Sequence, residues 1–462
     1  MDNSRLTLMG KTPVRQAVLR LALPTMLGMV VQTIYNLTDT FFVGQTGDTN
    51  LVAAISLVIP LFMAIQALGN IFSAGSASYI SRQLGEKNFT EARHTNAVAF
   101  YLSILFGAVM TAVFLPVKQP LLLLMGASAD TYAATAEYFT IITGGFALLV
   151  LQVSLAGLVR SEGATTKSML GMVIGLGTNI ILDPVFILAL DMGVAGAAWA
   201  TLIGNAFGVA FYVIHFLSKK THLSISPRDF KPSKRIIAET FKIGLPAGLS
   251  TMIMGISMAL GNILAASYGD HVVAGNGIQM RVNSMCIMLM IGMAQGYQPF
   301  AGYNYGAKNY HRLISGLKTT MLYNTILACF FTLLFIFFGR NIISVFIDDP
   351  ATIEAGTKIL HAFVWGAPFI GLQMTLMVTF QATGKALKSM VISLGRQCLL
   401  YVPLLFLLNG LFGFDGYIYA QPAADILITV IAVLMSISFL KEMHALHADS
   451  VPLSAELGVL EE

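Results

Sequence analysis

Leu21-Ala22-Leu23-Pro24 and, past the middle of the chain, Ile243-Gly244-Leu245-Pro246 are two copies of one apolar turn, their prolines 222 positions apart. Working outward, the same spacing recurs. Gly85-Glu86-Lys87-Asn88 is answered by Gly306-Ala307-Lys308-Asn309 at an offset of 221. Gly163 with Lys167-Ser168-Met169 is answered by Gly384 with Lys388-Ser389-Met390, again at 221, and Gly196 and Ala200 by Gly416 and Ala420 at 220. Each match alone is weak, but a constant offset over so much chain marks an internal duplication, a recurrent plan of membrane transporters.

The chain between these landmarks is apolar. Of 462 residues 56% are hydrophobic and 11% charged, with mean hydropathy +0.75, which places the protein in a bilayer. Apolar spans are read at 20–43, 51–80, 95–117, 133–158, 167–189, 193–217, 240–267, 272–301, 313–338, 356–380, 387–410 and 414–440. Twelve spans of about 25 residues consume about 300 positions, leaving loops, a polar linker and a tail but no room for a soluble catalytic domain. The expected organisation is an N-terminal six-helix bundle (1–218), a linker (219–239), a C-terminal six-helix bundle (240–440) and a tail (441–462). Six is even, so the two bundles enter the membrane in the same direction and relate by a pseudo-two-fold along its normal, facing one another across a central cleft.

Charge sets the orientation. With the N-terminus inside, 20 of the 27 Lys and Arg fall on the inner side and only Lys118, Arg340 and Lys358 on the outer, so both termini are expected in the cytoplasm. The net charge of +4 is thereby topogenic and calls for no nucleic-acid partner. Cys286, Cys329 and Cys398 all lie in apolar segments and read as buried small hydrophobes, forming neither a disulfide framework nor a zinc spacing.

Ionisable groups within spans cost at least ~2.5 kcal/mol on insertion scales and each needs a reason. Asp39 lies one turn, about 7 Å, below the outer end of the first span. Glu137 and Tyr138 lie just inside the outer end of the fourth, Asp183 two turns below that of the fifth, and Thr201 two turns into the sixth. Four helices thus bring polar groups to one level. Asn179 and Asp183 share a helix face, and Pro184 cannot donate to the carbonyl of Ile180. The resulting hard oxygens suit Na⁺, while two neighbouring carboxylates equally suit a proton, because repulsion raises the pKa of one. By the repeat offset, Leu400 and Leu404 answer Asn179 and Asp183, so the second half is expected to hold no such cluster. Gln32, Tyr35 and Asn36, together with Arg281 and Asp425, are assigned to the cleft, and Arg396 to interhelical contact or the cleft wall.

These residues resemble the multidrug and toxic compound extrusion (MATE) family, in its MepA-like branch. The resemblance rests on Leu23-Pro24 with Gln32 and Asp39-Thr40, Gly85, Arg160-Ser161-Glu162-Gly163, Asn179 to Asp183-Pro184, and Gly193-Val194-Ala195-Gly196-Ala197-Ala198, and covers about residues 15 to 440. It implies a V-shaped pair of six-helix bundles, and a cation site at Asp39, Asn179, Asp183 and Thr201 with Tyr138 nearby. It also implies export of amphipathic organic cations in exchange for Na⁺ or H⁺, by a protein that works as a monomer in the plasma membrane, surrounded by lipid, without a cofactor. The rival readings are a lipid-linked precursor flippase, which wants a strongly cationic cleft, a membrane-embedded enzyme, which wants a His and acid cluster, and a channel. No phosphate-binding loop is present to couple ATP.

Overall fold

The computed structural model describes residues 4–45, 49–218 and 220–450. Among the described residues every regular element is a helix. In order run α1 (Ser4–Gly10), α2 (Val14–Gln45), α3 (Thr49–Leu57), α4 (Ile59–Gly85), α5 (Phe89–Phe114), α6 (Lys118–Leu124), α7 (Tyr132–Gly144), α8 (Phe146–Ser161), α9 (Thr165–Pro184) and α10 (Gly193–Leu217). After a 3-10 turn at Pro227–Asp229 follow α11 (Lys234–Ala266), α12 (Asp270–Gly306), α13 (Tyr310–Ser344), α14 (Pro350–Ala382), α15 (Ala386–Leu394), α16 (Val402–Phe412) and α17 (Phe414–Ser450). Eleven of the helical segments are long and apolar enough to cross a membrane, and counting the bent pair α7–α8 as one span makes twelve.

Three departures from straight spans have local causes. The second span breaks between α3 and α4, where Pro60 at the first turn of α4 has no N–H to give. The fourth bends by 54° at Gly145, whose missing side chain lets Leu202 Cδ2 pack 2.1 Å from where a Cβ would stand. The fifth and eleventh pass through π-helical turns, at Val185–Ala189 directly after Pro184 and at Gly395–Tyr401. Helix α11 starts at Lys234, capped by the Ser233 side chain on Ile236 N–H, so the end of the segment read as linker is helical.

The duplication is written into the backbone. Lys87 and Lys308 both adopt a left-handed conformation, φ 59° and 57°, as do Gly163 and Gly384 at 80° and 75°. At the next position Asn88 caps α5 by accepting from Glu91 N–H, and Asn309 caps α13 by accepting from Arg312 N–H. A left-handed lysine is costly for an L-residue, so its appearance at matching places in both halves marks one loop design used twice.

The halves meet by close backbone approach near the face that carries α1, the start of α11 and the end of α17, here the terminal face. A Cβ on Gly75 would stand 2.1 Å from Thr240 O, one on Gly296 2.4 Å from Ala22 Cα, and one on Gly85 2.0 Å from Tyr303 O. Arg82 adds an ion pair to Glu239 at 2.7 Å, and Ser78 Oγ donates to Gln381 O. Gly85→Ala is therefore expected to force the lobes apart at this face, at a cost of about 1–3 kcal/mol to the closed arrangement. Spin labels on the exposed Lys167 and Lys234 should report a longer distance, and an unchanged distance would show that the contact yields locally.

The cysteines part from the sequence expectation. Cys286 is buried, but Cys329 and Cys398 are exposed on their spans. A thiol is small and apolar enough to face lipid, so an apolar setting in sequence does not distinguish the two fates.

Candidate functional site: a buried carboxylate in each lobe

In the first lobe the fifth and sixth spans lie backbone to backbone. Gly204 on α10 sits where a Cβ would be 2.5 Å from Gly175 O, and Gly171 faces the ring of Tyr212. This approach presses the polar residues of the next turns together. Asp183 is wholly buried, and Asn179 and Thr201 nearly so. The Asn179 amide lies between the other two. Its Nδ2 donates to Asp183 Oδ2 at 2.9 Å, and its Oδ1 accepts from the Thr201 N–H at 2.9 Å with the Thr201 hydroxyl at 3.2 Å. This orientation matches an ionised carboxylate, which only accepts; the opposite one would set the amide N–H against the Thr201 N–H.

The other predicted members divide. Tyr138 is buried on α7 in the apolar cluster that also holds Val194, Ala197, Ala198 and Leu202 of α10, its ring 6.4 Å from Phe62. Its side chain therefore packs on the helix that bears Thr201. Glu137, placed with this group by its depth, is instead exposed on α7, since it is one residue round the helix from Tyr138. Gln32 and Tyr35 are half-buried on α2. The side chains of Asn36 and Asp39 lie outside the described residues.

The second lobe holds a polar assembly of another kind, an ion pair rather than a set of oxygens at Leu400 and Leu404. Asp425 on α17 is fully buried, and its Oδ1 accepts from Arg396 Nε at 2.6 Å and from the amides of Gln373 and Gln421, each at 3.3 Å. Asp425 is thus enclosed within its own lobe. By the offset of 221, Arg396 and Asp425 answer Gly175 and Gly204. One pair of symmetry-related helices is held by glycine contact and the other by an ion pair. That exchange is invisible to a search for acids at positions equivalent to Asn179 and Asp183. Arg281 is exposed on α12 and forms no ion pair among the described residues.

A third assembly was not foreseen from sequence. Glu162, in the turn between α8 and α9, is buried and accepts from Arg5 at 2.5 Å, His215 Nε2 at 2.8 Å, Thr221 Oγ1 at 2.7 Å and His222 N–H at 3.3 Å. It gathers α1, the sixth span and the linker. From the other lobe Asn304 Nδ2 and Arg312 Nε donate to Met9 O at 3.1 and 3.0 Å, and Arg312 also donates to Thr12 O. The seven-residue helix α1 is therefore a strap across both lobes. The sequence signal was the acid in Arg160-Ser161-Glu162-Gly163, whose partners are too scattered to be paired by spacing.

Two six-span lobes built on one plan, each holding a carboxylate inside the membrane, form a multi-pass membrane protein of the transporter type rather than an enzyme. The MatE family model matches residues 24–185 and again 246–407, one match to each lobe, and the chain belongs to this family of membrane transporters. It is similar over 435 residues to the multidrug export protein MepA of Staphylococcus aureus strain MRSA252, at 30% identity covering 94% of this chain and 96% of that protein. MepA of Staphylococcus haemolyticus strain JCSC1435 is 29% identical over the same shares. Among solved structures, an outward-facing multidrug resistance MATE family transporter of the MOP superfamily superposes with a TM-score of 0.90 at 26% identity, covering 96% of this chain and 100% of that one. A MOP superfamily transporter from Pyrococcus furiosus Vc1, described as having a binding pocket of reversed polarity, also reaches 0.90 at 27% identity, covering 96% and 99%.

Proposed function

We propose that this protein is a monomeric, cation-coupled antiporter of the cell membrane that exports amphipathic organic cations by alternating access, with both termini in the cytoplasm and the first lobe carrying the coupling ion. The observation that carries this reading is the fully buried Asp183 with the Asn179 amide against it. A carboxylate so enclosed is costly while charged and takes up a cation to lose that cost. The amide geometry favours H⁺ over Na⁺. Because Asn179 Oδ1 is held by the Thr201 N–H at 2.9 Å, the amide presents only N–H to Asp183 Oδ2, and a proton taken up by the carboxylate itself removes the buried charge without turning the amide. A Na⁺ ion would need the Asn179 oxygen at the carboxylate, the place the amide N–H takes when Asp183 is ionised.

Ion and drug exchange for one another if each stabilises a different lobe arrangement, which is the thermodynamic content of coupling. Drug range is supported by the MepA relatives, whose name is multidrug export protein. Asp39, at the same level in the sequence, is the second carboxylate of this reading, with Tyr138 packing the α10 side of the site. The test is efflux of a fluorescent organic cation from proteoliposomes under an inward H⁺ gradient and, separately, an inward Na⁺ gradient. Efflux driven by H⁺ supports the reading. Efflux driven by Na⁺ alone keeps antiport and overturns the amide argument, and no response to either gradient overturns antiport and brings lipid scrambling to the front.

A further inference from the structure

Arg281 is the only Lys or Arg of α12, and the register of the helix fixes the direction in which it points. Nearer the terminal face, Gly292 and Gly296 lie against α2: a Cβ on Gly292 would stand 2.7 Å from Met26 Cα, and one on Gly296 2.4 Å from Ala22 Cα. Arg281 precedes Gly292 by three turns, about 16 Å, which returns it to within about 20° of the same direction. Met285 stands in the same relation to Gly296. Both residues therefore lie on the face of α12 that is turned to the first lobe and away from lipid. Exposure rises along this stripe as the lobes part: Gly296 and Gly292 are buried, Met288 and Leu289 half-buried, Met285 and Arg281 exposed. The second seam opens in the same direction. A Cβ on Gly248 of α11 would stand 2.7 Å from Ala67 O and one on Gly255 2.1 Å from Met63 Sδ, while Met258, a turn further out, is exposed. Arg281 thus stands on the open wall of the cleft, as many residues from the closed seam at Gly292 as from the outer end of α12 at Asp270.

A charge at this depth is costly and marks a pathway unless it is paired within the protein. The Arg281 guanidinium forms no ion pair and no hydrogen bond among the described residues; only its carbonyl is engaged, by the Ser284 hydroxyl at 2.7 Å. Carboxylates of its own lobe are committed elsewhere: Asp425 to Arg396, Glu354 to Lys358, Glu442 to Lys385, and Asp349 to the cap of α14. Taking the cleft as the substrate path proposed above, we propose that Arg281 binds a carboxylate on the transported molecule, and that amphipathic zwitterions, with a carboxylate beside the positive charge, are a preferred substrate class. A guanidinium presents parallel N–H donors that match the two oxygens of a carboxylate, and it stays charged throughout the cycle. Met285 and Met258 beside it give an adaptable apolar wall for the body of such a molecule. The positive end then points to the first lobe, the one that holds Asp183.

The test is equilibrium binding to the full chain in detergent, read by fluorescence anisotropy without any gradient, so that it is independent of which ion is coupled. The probes are a rhodamine with a free carboxylate and its methyl ester, which differ in that one group. The native protein is expected to bind the free carboxylate more tightly than the ester. Arg281→Gln, at an exposed position, should weaken the free carboxylate by about tenfold or more, the size of one charge-assisted contact, and leave the ester unchanged. Arg281→Lys should fall between, keeping the charge and losing the fork. Equal weakening of both probes would give Arg281 a role in lobe arrangement and overturn the carboxylate site, as would full binding of the free carboxylate in Arg281→Gln or no binding of either probe. Tight binding of the ester alone overturns the zwitterion class and leaves organic-cation export standing, whereas failure of gradient-driven efflux with the anisotropy result intact removes antiport and keeps the site.

Discussion

Asp183→Asn is expected to abolish gradient-driven efflux while leaving a folded protein in the membrane. The replacement has the same shape and carries no charge, so a wholly buried position loses its desolvation cost instead of gaining one. Its Oδ1 can still accept from Asn179 Nδ2, as Asp183 Oδ2 does at 2.9 Å, so the packing is kept while the position can no longer gain or lose a charge. Coupling needs a group that alternates between charged and neutral, and the drop in driven efflux is expected to be roughly 100-fold, toward the top of the range for linked sites. Passive exchange of the drug down its own gradient should persist. Proteoliposome efflux with and without the H⁺ gradient measures both quantities. Full driven efflux in this variant would remove Asp183 from the mechanism, and loss of folded protein would make its role structural.

The second large effect belongs to the other lobe. Arg396→Met takes away the charged partner that Asp425 has among the described residues, and its fully buried carboxylate otherwise meets two neutral amides. Breaking one side of a buried pair is costly because the other charge remains, and a loss of about 3–5 kcal/mol is expected. Arg396→Met combined with Asp425→Leu removes both charges and should recover most of it. Thermal unfolding of the four proteins of this cycle gives the interaction directly. A stable single variant would mean that the amides of Gln373 and Gln421 suffice to hold the carboxylate, and that the ion pair is not what ties these helices together.

Much of this architecture was legible because it follows from periodic causes. Twelve apolar runs must be helices in a bilayer, since the backbone there has to bond to itself. The constant repeat offset predicted two equivalent loops, and the structure returned them down to the left-handed Lys87 and Lys308. Within the site, Asn179 and Asp183 were readable as one helix face, and depth counting brought Thr201 to the same level. Depth counting does not give rotation about the helix axis, which is why Glu137 was grouped with Tyr138 although it points away. The Arg396–Asp425 pair was hidden for a different reason. Duplication preserves helix placement but not the means of holding helices together, and here two glycines in one lobe correspond to an ion pair in the other. Glu162 and its four donors, drawn from α1, α10 and the linker, could only be assembled in three dimensions.

The strap has a practical consequence at the bench. Residues Arg5 to Thr12 are bonded at one end to Glu162 and at the other to Asn304 and Arg312, so α1 is tied to both lobes and is not a neutral overhang. Bonds of this charged kind contribute about 1.5–3 kcal/mol each, enough for a bulky tag pulling on α1 to alter the rate at which the terminal face opens. A purification handle or fluorescent reporter belongs beyond α17, and a spectroscopic probe meant to sense gating belongs on α1.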